Sequence, residues 1–140
     1  MPVIEKIIQF LKRYPFVPYE HREDAIRVFA SSENGFEVAL LVRPGCYTVY
    51  YALWHTELYD EQRAVNSFLN GLSDAVRLRV ASRGRVDYRW TIQFRSADGW
   101  IGGSTVGVFR YPFWKKQEIR YLQNDYFVAT KLGSETAATS

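Results

Sequence analysis

From Val86 to Arg95 the chain alternates without interruption, with Val86, Tyr88, Trp90, Ile92 and Phe94 on one side and Asp87, Arg89, Thr91, Gln93 and Arg95 on the other. On a helix these five large side chains would scatter around the axis. On a strand, where successive side chains point to opposite faces, they form one continuous apolar surface. Such a surface has to be covered, so the chain must build a sheet with a buried face. Asp98-Gly99 supplies a hairpin turn, and the returning strand runs from Trp100 to Tyr111, where Pro112 ends it. With Ala97 opposite Trp100, Gly107 is expected opposite Trp90, Gly103 opposite Phe94 and Arg110 opposite Asp87. Rings lying over bare glycines are a stabilising arrangement.

A second hairpin is written just as plainly. Phe36 to Arg43 and Cys46 to Trp54 flank Pro44-Gly45, the dipeptide of a type II turn. Pairing Arg43 with Cys46 sets Val42 against Tyr47, Leu40 against Val49, Val38 against Tyr51 and Phe36 against Leu53, which gives a wholly apolar face. Ala25 to Ala30 reads as a further strand. Its apolar set Ile26, Val28 and Ala30 is out of phase with a tight Asn34-Gly35 turn, so a longer bulged loop is expected there.

Two segments change period. Val3 to Tyr14 carries Val3, Ile4, Ile7, Ile8, Phe10 and Leu11 at helical spacing, and Pro15 stops it, leaving 15–20 as a connector. Asp60 is placed to cap a second helix bearing Ala64, Val65, Phe68, Leu69 and Leu72, with Tyr59 available to staple it. That helix is expected to end near Asp74. Val76 to Val80 then alternates with arginines as a strand would, and Glu118 to Leu122 reads as the last strand.

The expected fold is therefore α+β, in the order α-β-β-β-α-(β)-β-β-β. It is a mostly antiparallel sheet of five to seven strands with both helices on one face. At 140 residues the chain has room for one such domain, expected over 1–132, with Gly133 to Ser140 as a disordered tail. No apolar run approaches the ~20 residues of a membrane span. The start Met-Pro-Val-Ile-Glu-Lys has no secretory pattern, and a lone cysteine suits a reducing compartment, so a cytoplasmic protein is expected.

Few groups are arranged for catalysis. His21, His55 and Cys46 have no metal-ligand spacing. Gly102-Gly103-Ser104 lacks the Lys-Ser/Thr of a phosphate loop. The cluster Trp54-His55-Thr56-Glu57 before Asp60 reads as a polar strand exit leading to a capped helix. No catalytic residue, cofactor or metal is expected.

The charge pattern says more. The net charge is +3, but the surplus lies in the second half, where Arg77, Arg79, Arg83, Arg85, Arg89 and Arg95 fall in a stretch holding one acid, Asp87. Alternation puts these guanidiniums on a sheet face away from the helices, where they could meet an acidic protein or another anionic ligand. The first expectation is a non-catalytic accessory or partner-binding domain using this basic face through Arg79, Arg85, Arg89, Arg95 and Arg110. The second is a small-ligand binder or enzyme with an aromatic pocket between helices and sheet, lined by Tyr47, Tyr51, His55, Tyr88 and Trp90. The third is weak nucleic-acid binding, disfavoured because Tyr88 and Trp90 alternate to the side opposite Arg89 and Arg95.

The first 76 residues are similar in element order to a double-stranded-RNA-binding domain. That class starts its second helix with lysines, whereas Asp60-Glu61-Gln62-Arg63-Ala64 presents an acidic end. Small α/β secretion chaperones share a similar order but tend to be acidic, and this chain has a pI near 9.0. No family is assigned on either comparison.

Overall fold

The computed structural model describes residues 2–128, so the tail expected at Gly133 to Ser140 lies outside the described residues. The architecture is α+β. Helix α1 (Val3–Leu11) is followed by strands β1 (Tyr19–His21), β2 (Ala25–Val28), β3 (Val38–Arg43), β4 (Cys46–Tyr51) and β5 (Trp54–Leu58). Helix α2 (Glu61–Gly71) then leads into β6 (Val76–Arg83), β7 (Val86–Ser96), β8 (Gly99–Gly107) and β9 (Gln117–Leu122). The strands form two antiparallel sheets rather than one, ordered β1-β2-β3-β4-β5 and β8-β7-β6-β9. Strand count and sheet number both depart from expectation. β1 emerges from the proline-bounded connector and pairs with β2, and the expected strand Cys46 to Trp54 is cut by a two-residue turn at Ala52-Leu53. With Tyr51 paired to Trp54, Leu53 sits at the exposed turn and never reaches Phe36.

The β3–β4 register is the one the Pro44-Gly45 turn dictates, from Arg43↔Cys46 to Val38↔Tyr51. Gly45 adopts φ +80°, which the turn requires. β2 joins β3 with Ile26↔Leu40 and Val28↔Val38, so the connection is the longer loop, residues 29–37. Ile26, Val28, Val38, Leu40, Val49 and Tyr51 are all buried on one face of this sheet. α1 contributes Val3, Ile4, Ile7, Phe10 and Leu11 to the same core, and α2 contributes Ala64, Phe68 and Leu69. The Asp60 carboxylate accepts from Arg63 N at 2.9 Å and caps α2, while Tyr59 stays exposed and does not staple it. α2 ends at Gly71, three residues before the expected stop, and a Cβ there would stand 2.4 Å from the Tyr51 ring. The tyrosine thus lies across the helix end.

The second sheet closes the core with Val76, Leu78 and Val80 from β6 and Trp90 and Ile92 from β7. Between Ala81↔Arg89 and Ser82↔Asp87 the β7 strand carries one extra residue, Tyr88. That bulge takes Tyr88 out of phase with Trp90: the ring is still buried, at 3% exposure, but it packs outside the main core cluster, stacked on Tyr111 at 4.2 Å. The β7–β8 hairpin closes at Ser96↔Gly99 and slips again between Thr91 and Gln93, so Trp90 faces Val106, Phe94 faces Ile101 and Gly107 faces Arg89. Gly103 still lies under large side chains, because a Cβ there would meet Ile92 at 2.8 Å and Phe94 at 2.9 Å.

One buried polar side chain ties the parts together. Asn124 Nδ2 donates to Phe36 O and Gly71 O, each at 2.8 Å. Its Oδ1 accepts from Phe36 N at 3.1 Å, Ser31 N at 3.2 Å and Ser31 Oγ at 3.3 Å. Gly35 makes room for it, since a Cβ there would sit 2.4 Å from Asn124 Oδ1. Asn124→Ala leaves Phe36 N–H, Phe36 C=O and Gly71 C=O without this partner, at about 1–3 kcal/mol for each buried group. Chemical denaturation is expected to show a loss of at least about 3 kcal/mol. Trp90→Ala, which empties a core site only 5% exposed, is expected to cost about 3–5 kcal/mol in the same measurement. A melting curve unchanged by the latter would show that Trp90 is not a packing residue.

Candidate functional site

The outer face of the second sheet gathers residues from all four strands. Pairing aligns Arg95 with Trp100, Arg77 with Gln93, and Thr105, Thr91, Arg79 and Tyr121 in one row across the sheet. The next row holds Gly107, Arg89, Ala81 and Ile119. None of these positions is a carboxylate. Arg77 and Arg95 are held in place by neutral contacts. The Arg77 guanidinium lies 4.3 Å from the Trp100 ring and 4.1 Å from the Tyr121 ring, and its Nε donates to Gln93 Oε1 at 2.7 Å. Arg95 lies 4.8 Å from the same Trp100 ring and donates from Nε to Asp74 O at 3.0 Å. Stacking of this kind stabilises each exposed pair by about 0.5–1 kcal/mol and leaves the positive charge unneutralised.

The ion pairs among the described residues lie elsewhere: Lys6–Glu61 joins the helices, Arg27 meets Glu20 and Glu37, and Asp87 meets Arg120. The last of these corrects the expected Asp87–Arg110 pair. Arg120 Nη1 and Nη2 donate to the two Asp87 oxygens at 2.6 and 2.7 Å, because β9 returns along β6 and brings Arg120 within reach.

Of the five arginines expected on the face, Arg79, Arg89 and Arg95 are on it. Arg85 is at the β6–β7 turn with φ 67°, and Arg110 lies in the β8–β9 connection; both are exposed. Arg77, Trp100 and Tyr121 complete the face. Arg77 was legible from its alternation with Val76 and Leu78, whereas the two rings come from β8 and β9, whose registers depend on the bulges and on the return of the chain. They also reverse one premise, since aromatic rings do share a face with the arginines.

The five expected pocket residues do not converge. Trp90 is core, Tyr88 has turned toward Tyr111, and Tyr47 packs at the edge of the core opposite Val42 and Leu58. His55 is exposed on β5 beside Tyr50, with ring centres 5.4 Å apart. Tyr51 is fully buried and donates its hydroxyl to Ser67 O; burial pushes its phenol far above the ordinary value, against a smaller opposing effect of the Ser67 side chain. It alone of the five borders a cleft of about 430 Å³ between α2 and the second sheet, whose walls include Trp54, Arg63, Asn70, Ile92, Phe94 and Ser104. Trp54 Nε1 donates to Ser104 O and Oγ at 3.2 Å, bridging β5 to β8. His21, on β1, and His55, on β5, lie at opposite edges of the first sheet. Beside the arginine face, burial raises the Tyr88 phenol, but hydrogen bonds from Gln117 and Arg83 and the charges of Arg83 and Arg89 outweigh it and leave the group below its ordinary value.

No protein-family model, curated protein or solved structure matches this chain in comparisons of sequence and structure.

The Asp87–Arg120 pair carries a pH signature. The hydrogen bonds from Arg120 hold the Asp87 carboxyl below its ordinary 3.8, with its charge assisting and partial burial opposing. A lowered folded value stabilises the protein above the ordinary carboxylate range, and that contribution disappears as pH falls through the folded value. With Asp87 about a third exposed, it amounts to at most about 1 kcal/mol. In denaturation series between neutral and acidic pH, Asp87→Asn is expected to be less stable than wild type at neutral pH and to converge with it in acid.

Proposed function

We propose that this chain is a non-catalytic binding domain that takes an acidic protein partner on the outer face of the second sheet. One observation carries the reading: Arg77, Arg79, Arg89 and Arg95 share a four-stranded surface without a carboxylate, and ring contacts orient the guanidiniums of Arg77, Arg89 and Arg95 without neutralising them. Guanidiniums held in place lose less freedom on meeting a carboxylate than free side chains would, and their planar forks favour bidentate contacts. Trp100 and Tyr121 would also suit a nucleic-acid stacking platform. Both rings, however, already pack against Arg77, so a base would have to displace that guanidinium to stack between them.

The cleft supports a second reading, a small apolar acid with its chain on Trp54, Ile92 and Phe94 and its carboxylate toward Arg63. Ligand-induced shifts in melting temperature, abolished by Arg63→Gln, would favour it.

The two macromolecular alternatives separate by salt. Four phosphate contacts to duplex DNA would give a log–log salt slope of about −3.6, whereas a protein interface with an apolar component is far less salt-dependent. Titrations with labelled single strands, duplex DNA and duplex RNA at two salt concentrations are expected to show weak binding at physiological salt. An acidic partner identified by co-purification and mass spectrometry should lose affinity on combined replacement of Arg77, Arg79, Arg89 and Arg95 by glutamine, with the melting curve preserved. Tight nucleic-acid binding at physiological salt, abolished by the same replacements, would overturn the proposal.

A further inference from the structure

The connection between β8 and β9, residues 108–116, and the neighbouring β6–β7 turn make one end of the second sheet unlike the rest of the surface. Phe109 is wholly exposed, Phe113 and Trp114 are 71% and 70% exposed, and Val108 and Val86 are exposed beside them. These rings do not hold the connection in place. That is done by Tyr111 stacked on Tyr88, by Arg83 Nη1 donating to Lys115 O at 2.8 Å, and by close packing at Gly84, where a Cβ would meet Lys115 at 2.9 Å and Pro112 at 3.2 Å. Phe113 and Trp114 touch each other edge to face at 5.3 Å. The two segments that carry these apolar side chains and meet at Gly84 also carry the exposed Arg85, Arg110, Lys115 and Lys116, and neither 83–86 nor 108–116 contains an acid.

We propose that this tip docks on an anionic lipid surface, with Phe109, Phe113 and Trp114 entering the headgroup region and the four cations facing lipid phosphates and carboxylates. The inference goes beyond the sheet-face reading and uses none of its four arginines. Charge complementarity selects an anionic partner, and exposed Phe and Trp flanked by Lys and Arg match the composition of interfacial anchors. A bilayer is favoured over a protein because rings standing this far into solvent need no complementary pocket in a fluid interface, whereas protein hot spots are closely packed. The docking is peripheral, since no helix among the described residues is long and apolar enough to cross a membrane.

Sedimentation of the full chain with vesicles tests this. Binding is expected with phosphatidylcholine vesicles containing phosphatidylserine and should be much weaker with phosphatidylcholine alone. Removing the cations as R110Q/K115Q/K116Q should weaken partitioning by about fivefold per charge. F109S, whose ring contacts solvent alone, and the triple variant F109S/F113S/W114S should weaken it progressively, the latter by on the order of tenfold or more. Brominated lipid should quench wild-type tryptophan fluorescence, and W114F should remove that component. No binding to the anionic vesicles would overturn the proposal. So would binding that the aromatic variants leave intact while R77Q/R79Q/R95Q abolishes it, which would assign lipid attraction to the sheet face instead.

Discussion

Asn124 is the constraint through which distant parts of this chain are registered against one another. It follows the last strand, yet its amide reaches the loop between β2 and β3 and the C-terminal end of α2. Neighbouring bonds extend the seam: Gln123 N donates to Asn34 O at 2.7 Å and the Tyr126 hydroxyl donates to Phe29 O at 2.9 Å. A buried amide of this kind tolerates no half-measure, because every group it satisfies would otherwise be desolvated without a partner. With the end of α2 and the segment after β9 both anchored, β9 is led along β6, and the outer face of the second sheet acquires its fourth strand.

That face depends on irregularities as much as on alternation. The extra residue at Tyr88 turns one ring away from the core and lets it stack under the β8–β9 connection, so the same bulge that perturbs the sheet supports the exposed tip. The slip between Thr91 and Gln93 adjusts β8 so that Trp100 stands against Arg95 and within reach of Arg77. Bulges re-aim side chains at the cost of a local break in the ladder, and here they assemble surface chemistry from strands that individually carry only part of it.

Charge is distributed in a comparable division of labour. Where carboxylates and cations meet, they join elements, as Lys6 and Glu61 do between the helices and Asp87 and Arg120 do between β7 and β9. On the outer face and at the tip the cations face solvent, with aromatic rings rather than acids beside them. Such surfaces add little to folding stability and concentrate positive potential, which is a property of binding surfaces rather than of the core.

The features legible in the sequence are those governed by local physics. Pro44-Gly45 and the alternation beside it determine the β3–β4 register, because a two-residue turn and a period of two leave no alternative; Asp60 caps α2 through a bond three residues away; and the apolar stripe of 3–11 can only be a buried helix face. The basic surplus of the second half and the shared face of Arg77 and Arg79 were equally open to reading. What only the tertiary structure decided involves partners far apart in the chain. β1 is too short and too close to prolines to declare itself, and exists because β2 offers an edge. β5 exists because the chain turns at Ala52 and Trp54 finds Ser104, fifty residues on. Trp100 and Tyr121 meet Arg77 only after β8 and β9 have taken opposite flanks of the β7–β6 pair. Asn124 is an ordinary polar residue until the fold closes on it, since its hydrogen bonds reach across 53 to 93 positions and no local pattern encodes contacts at that range.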